Sequence, residues 1–229
     1  MAEQTPQPPP EVELTAAASE TMARGEDIRE RVHDLTLQAL KDRHFDRTGI
    51  QDVIRAVTQG VALGADRDRV DMRQAMSEAL SGLDKALRTS AEAGQAALKE
   101  LASTSREFSD GELKQAITNL RKLEDDFFST VGQVADAASE RVRPELREAL
   151  AAARRSGTET GRQVASVMSD LAQRFSVASL DATVTGLERA SEFGARFAEL
   201  ASGVLSGLAD ALRTQKTDRD EPPKGEQGS

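Results

Sequence analysis

Two histidines, His33 and His44, each lie close to an aspartate, Asp34 and Asp46. That pairing is where a proton relay or a metal site would begin. A zinc site needs a tetrahedral set of ligands at defined spacing, and none completes it. The histidines therefore read as solvated polar residues at the end of a helix and in its turn. The acidic pairs Asp125/Asp126 and Glu26/Asp27 read as solvated charges or helix-start carboxylates. Arg154 and Arg155 stand near Arg141, Arg143, Arg147 and Arg162, but Glu140, Glu145, Glu148 and Glu159 dilute them into a mixed-charge face. The chain has no cysteine, which removes the thiol nucleophile and any disulfide framework. Neither a phosphate-cradling G-x-x-x-x-G-K-[ST] nor a strand-linked G-x-G-x-x-G occurs. No catalytic, cofactor-binding or metal-binding set can be assembled, so the expectation is a non-enzyme without cofactors.

Charge narrows the partners. The net charge of −9 opposes the release of counterions on which nucleic-acid binding depends, and no nucleic-acid partner is expected. The N-terminal "MAEQTPQPPPEVEL" has neither a basic nor an apolar leader region. No apolar run approaches the ~20 residues of a spanning helix. The expected location is the cytoplasm. Hydrophobic residues make 38% of the chain, much of that alanine, and the aromatics are seven phenylalanines with no Trp or Tyr. Such side chains fit thin helix-on-helix seams better than a thick core.

Proline sets the organisation. Pro6, Pro8, Pro9, Pro10, Pro222 and Pro223 lie at the ends, and only Pro144 falls between them. The intervening chain, rich in Ala, Leu, Glu and Arg, predicts an all-α fold: an elongated bundle of about five amphipathic helices. Residues 1–24 read as a flexible tail and 213–229 as a disordered charged one. Helices are expected at 26–43, 49–108, 110–143, 144–176 and 180–213, within a single domain over 25–212. From Ile50 onward, five blocks of eleven keep apolar residues on one stripe, a 3.67-residue period close to that of the straight helix. Thr48–Gln51 and Ser109–Glu112 have capping-box patterns. Pro144 breaks or kinks its helix.

The stripes nominate two sets of residues. The apolar-face candidates are Ile54, Met76, Leu87, Leu98, Leu187, Phe197, Leu205 and Leu208. The helix-contact candidates are the G-x-x-x-G pairs Gly60/Gly64, Gly157/Gly161 and Gly203/Gly207. Glycine costs roughly 1 kcal/mol in a helix relative to alanine, a cost that close approach of a second helix would explain.

The segment "RVHDLTLQALKDR…GIQDVIRAVTQGVALGA" (Arg31–Ala65) resembles the N-terminal signature of a bacterial family of uncharacterised helical proteins, which implies no activity. The overall plan is similar to phasins, the amphipathic coat proteins of polyhydroxyalkanoate granules, through its Ala-rich helices, scarce aromatics and eleven- or seven-residue periods. That resemblance implies a non-catalytic protein coating a polyester granule or lipid surface. The apolar stripes of residues 50–104 and 180–212 are the segments expected to lie against such a surface. Two alternatives stay open: a helical scaffold binding protein partners, and a partly disordered stress-protective protein. Thin seams also favour self-association into a dimer or higher oligomer, since burying more apolar area offsets ordering entropy.

Overall fold

The computed structural model describes residues 10–41, 47–67, 71–104, 110–174, 201 and 203–204. Seven helices form among them: α1 (Pro10–Arg24), α2 (Ile28–Lys41), α3 (Arg47–Arg67), α4 (Met72–Thr104), α5 (Asp110–Ala137), α6 (Val142–Ser156) and α7 (Glu159–Arg174). The described residues contain no strand, so the all-α expectation holds.

The pairings between helices define the architecture. Moving up α3 from Gly60 to Gly64 moves up α1 from Thr15 to Ser19, so these two helices run parallel. Arg47 pairs with Asp126 and Asp66 with Ser139, which sets α5 parallel to α3. On the other side, Arg73–Glu145, Asp84–Thr160 and Lys99–Asp170 run α6 and then α7 along α4 in the same direction. Within the chain's last described hairpin the sense reverses: Gly132 faces Leu150, and Asp136 bonds Arg147. The molecule is therefore three antiparallel hairpins, α1–α2, α3–α4 and α5–α6/α7, stacked side by side. One layer holds α1, α3 and α5, and the other holds α2, α4 and α6/α7. The most extensive contacts run between like-placed helices of neighbouring hairpins rather than within a hairpin, the logic of helical-hairpin stacks.

The core lies between the layers. Ile54, Val53, Val57 and Val61 of α3, Met76, Leu83, Leu87 and Leu98 of α4, Phe127 of α5 and Leu146 of α6 are all essentially inaccessible to solvent. Only one of these is aromatic. Alanine fills much of the remainder, with Ala18, Ala86, Ala91, Ala93, Ala97 and Ala135 fully buried, as thin seams require.

Four sequence expectations are corrected. The flexible tail over 1–24 is helical from Pro10. Proline suits a first helical turn because its missing N–H has no partner there, and Glu11 and Glu13 favour the same end. Leu14, Ala18 and Met22, spaced by four, are the buried face. The segment 49–108 is two helices rather than one. Asp71 begins the second by accepting from the Gln74 N–H at 3.3 Å through its side chain and from Ala75 through its carbonyl. The helix expected over 110–143 ends at Ala137, and Pro144 sits in the first turn of α6, with the break ahead of it at 138–141. Ser139 closes that break by accepting from Val142 and Arg143. The segment 144–176 is split in turn at Gly157, whose φ of +73° favours glycine. The expected helix over 180–213 lies largely outside the described residues, although Ala201 is buried in the core. The tail over 213–229 lies wholly outside them.

Candidate interaction surface

The most extensive helix crossing is that of α1 on α3. A β-carbon placed on Gly60 would stand 2.6 Å from the Ala18 β-carbon and nearer still to the Thr15 carbonyl oxygen. One on Gly64 would meet the Met22 β-carbon at 2.6 Å and the Ser19 carbonyl. At both glycines the absence of a side chain lets two backbones touch. The Thr15 hydroxyl bridges the seam by donating to the Ala56 carbonyl at 3.2 Å. Gly82 plays the same part for α2 and α4, against the Arg29 carbonyl. It was not among the sequence candidates because no second glycine follows it at four-residue spacing.

The other glycines behave differently. Gly157 ends α6 in the left-handed region, and a β-carbon placed there would meet, among the described residues, only the Arg162 guanidinium, so it acts as a terminator. Gly161 faces the Glu124 carboxylate rather than another backbone. Gly203 has nothing within 4 Å among the described residues, and Gly207 lies outside them. Of the apolar-face candidates, Ile54, Met76, Leu87 and Leu98 are all buried between the layers. Leu187, Phe197, Leu205 and Leu208 lie outside the described residues.

Three carboxylates, Asp126, Asp84 and Glu124, hold the fold. Asp126 is buried and accepts two hydrogen bonds from Arg47 at 2.6 Å and one from Gln51 at 2.9 Å. It is not the solvated charge the sequence suggested, and Gln51 bonds across to it instead of closing a capping box. Burial pushes the Asp126 carboxyl up, but hydrogen bonds from Arg47 and Gln51 and the charges of Arg47 and Lys122 outweigh this and hold it below the ordinary carboxylate range. Asp84 accepts the Glu159 and Thr160 N–H groups at 2.7 and 3.0 Å, capping α7 from α4. Thr158 accepts from the Gly161 N–H at 2.8 Å and donates to Glu124. Both carboxylates are thus committed to the start of α7 and not poised as an acid–base pair.

His33 is buried rather than solvated, its Nδ1 3.0 Å from Asp34, while His44 lies outside the described residues. The arginine cluster is dispersed: Arg147 pairs with Asp136, Arg155 with Glu148, and Arg154 stacks over the Phe128 ring at 4.9 Å. Among the described residues no group of three His, Asp or Glu side chains is placed to hold a metal. No described helix is long and apolar enough to cross a membrane.

What remains exposed and apolar is confined. Among the described residues, the large hydrophobic side chains left open are Val12, 54% exposed, and Leu63, 52% exposed. Both line one groove of about 620 Å³ along the α1–α3 seam. Ala16 and Ala23 continue its α1 wall, Gln59 and Arg67 its α3 wall, and Glu11 and Glu20 its rim. Sequence reasoning missed this groove because α1 was read as tail. The signal was present in the four-residue spacing of Val12, Ala16 and Glu20 beside that of Leu14, Ala18 and Met22.

A sequence profile described as a family of unknown function, DUF6781, matches residues 4–214. The chain belongs to this family. The DUF6781 match takes in all seven described helices, so the three-hairpin stack is the architecture of the family region in this chain. No curated protein matches the chain, and no solved structure does.

Proposed function

We propose that this DUF6781 chain is a non-catalytic helical scaffold that engages protein through the α1/α3 face. The observation carrying this reading is the disposition of apolar side chains. Ile54, Met76, Leu87 and Leu98, which a surface coat would lay outward, are consumed by packing between the layers. Val12 and Leu63 stay exposed together in one groove. Hairpin stacks present extended surfaces of this kind to partners, and an exposed apolar patch rimmed by polar residues suits a protein interface.

The granule-coating reading stands second. It requires the hairpins to separate so that the α3 and α4 stripes face outward. The glycine and alanine seams favour it, because they bury little area per residue and are cheap to open.

Flotation separates the two readings. The purified chain is mixed with polyhydroxyalkanoate particles and, separately, with zwitterionic and anionic vesicles. The scaffold reading expects the chain to remain in the soluble fraction with its helix content unchanged. It also expects proximity labelling in cells to mark specific proteins that the Leu63→Glu variant no longer reaches. A chain that floats with the particles overturns the scaffold reading and supports the coat.

A further inference from the structure

We infer that the α1/α3 groove pairs with the same groove of a second copy of this chain. The inference rests on the scaffold reading for its choice of face and goes beyond it in naming the occupant. The two exposed apolar side chains stand on opposite walls and at different heights. Gly60 lies against Thr15 and Ala18, and Gly64 against Ser19 and Met22, so Leu63 is level with Ser19–Glu20, some two turns above Val12. A two-fold axis lying in the plane of the face, midway between Val12 and Leu63, exchanges these positions. It sets each Val12 on the partner's Leu63.

The charges follow the same order. Glu11 lies just outside Val12 on α1, and Arg67 lies one turn outside Leu63 on α3, both exposed on the groove. The axis that joins the apolar pair therefore brings Glu11 of one copy within reach of the partner's Arg67, twice. Going outward from the axis, each wall presents an apolar side chain and then a charge, acidic on α1 and basic on α3. This face is complementary to itself, as isologous contacts require. Ala16, near the axis, leaves room for close approach. Doubling this face across a two-fold joins four large apolar side chains in one patch.

The test uses the full chain in sedimentation equilibrium. A reversible dimer is expected at tens of micromolar. Leu63→Glu should weaken it at least tenfold with unchanged circular dichroism, because Leu63 is exposed and outside the core. Arg67→Glu and Glu11→Lys should each weaken it several-fold, while the double variant should recover to within about threefold of the parent. The chain has no native cysteine. Val12→Cys and Leu63→Cys chains, purified apart and mixed with a short bismaleimide, should therefore give a cross-linked heterodimer more readily than either alone. A monomer throughout, a dimer indifferent to Leu63→Glu, or no cross-linking preference in the mixture would overturn the inference. A monomer whose protein neighbours in cells are still lost with Leu63→Glu leaves the scaffold reading standing and removes only the second copy.

Discussion

Replacing Gly60 with alanine sets two opposed effects against each other. Alanine in place of a mid-helix glycine ordinarily stabilises by about 1 kcal/mol through helix propensity and the reduced freedom of the unfolded chain. Here the added methyl meets the Ala18 β-carbon at 2.6 Å and the Thr15 carbonyl, which is backbone and cannot rotate away. Ordinary contact begins near 3.4 Å, so α1 must retreat by roughly 1 Å along the seam, losing dispersion contacts on both sides. Overpacking of this kind costs about 1–3 kcal/mol and occasionally more. Because the obstructing atom is backbone, the clash should take the upper part of that range, about 2–3 kcal/mol, leaving a net loss of about 1–2 kcal/mol. Gly132 is the control: its nearest neighbour for a new methyl is the Leu150 side chain at 3.9 Å, so Gly132→Ala should gain about 0.5–1 kcal/mol. Urea unfolding followed by circular dichroism measures both. Adding Ala18→Gly to Gly60→Ala should restore part of the loss and no more, since the Thr15 carbonyl stays in place. The reasoning fails if Gly60→Ala is as stable as the parent, or if both glycine variants shift in the same direction.

Two further outcomes follow from the carboxylates. The folded-state carboxyl of Asp126 titrates below its unfolded value, so its contribution is complete above the unfolded value near 4 and fades as pH falls through the folded one. Asp126→Asn should therefore cost about 1–2 kcal/mol at pH 7, a figure reduced because the Arg47 side chain is 44% exposed. The gap to the parent should narrow in unfolding curves taken below pH 4, and a gap constant down to pH 2 would contradict the assignment. Asp84→Ala removes the acceptor for the first two N–H groups of α7 and should cost about 1 kcal/mol, as lost helix caps do. Hydrogen exchange should quicken at Glu159 and Thr160 but not at Gly161, which Thr158 caps; unchanged exchange at the first two would refute it.

The helical class and the buried stripes were legible because they are periodic: Ile54, Met76, Leu87 and Leu98 repeat by eleven, and period alone decides a face. Breaks were less legible. The eleven-residue pattern runs through Arg67–Asp71 without a fault, so nothing in the stripe marks the end of α3. The first helix was hidden by the prolines before it and by a buried face whose hydrophobic residues are only Leu14, Ala18 and Met22. Gly60 and Gly157 open identical G-x-x-x-G motifs, yet one meets a helix and the other ends one. The difference lies in whether a second backbone arrives, which spacing cannot specify. Asp126 beside Asp125 looked like an ordinary acidic pair because its partner Arg47 lies 79 residues away. The groove was illegible for the same reason: its walls belong to segments that only the stacking of hairpins makes neighbours.

The parallel seating of α1 on α3 also has a thermodynamic consequence. At the outer edge of the stack, α1 packs extensively on α3 and lightly on α2, so the 10–24 segment can open without separating the other helices from one another. One wall of the groove exists only while that segment is closed. Any occupant of the groove thus binds the closed form alone, and its binding free energy adds directly to the protection of α1 amides by mass action. Occupancy and the folding of the first fifteen helical residues are one linked equilibrium, so the exchange rates of Leu14 and Ala18 report on binding even though neither side chain faces the groove.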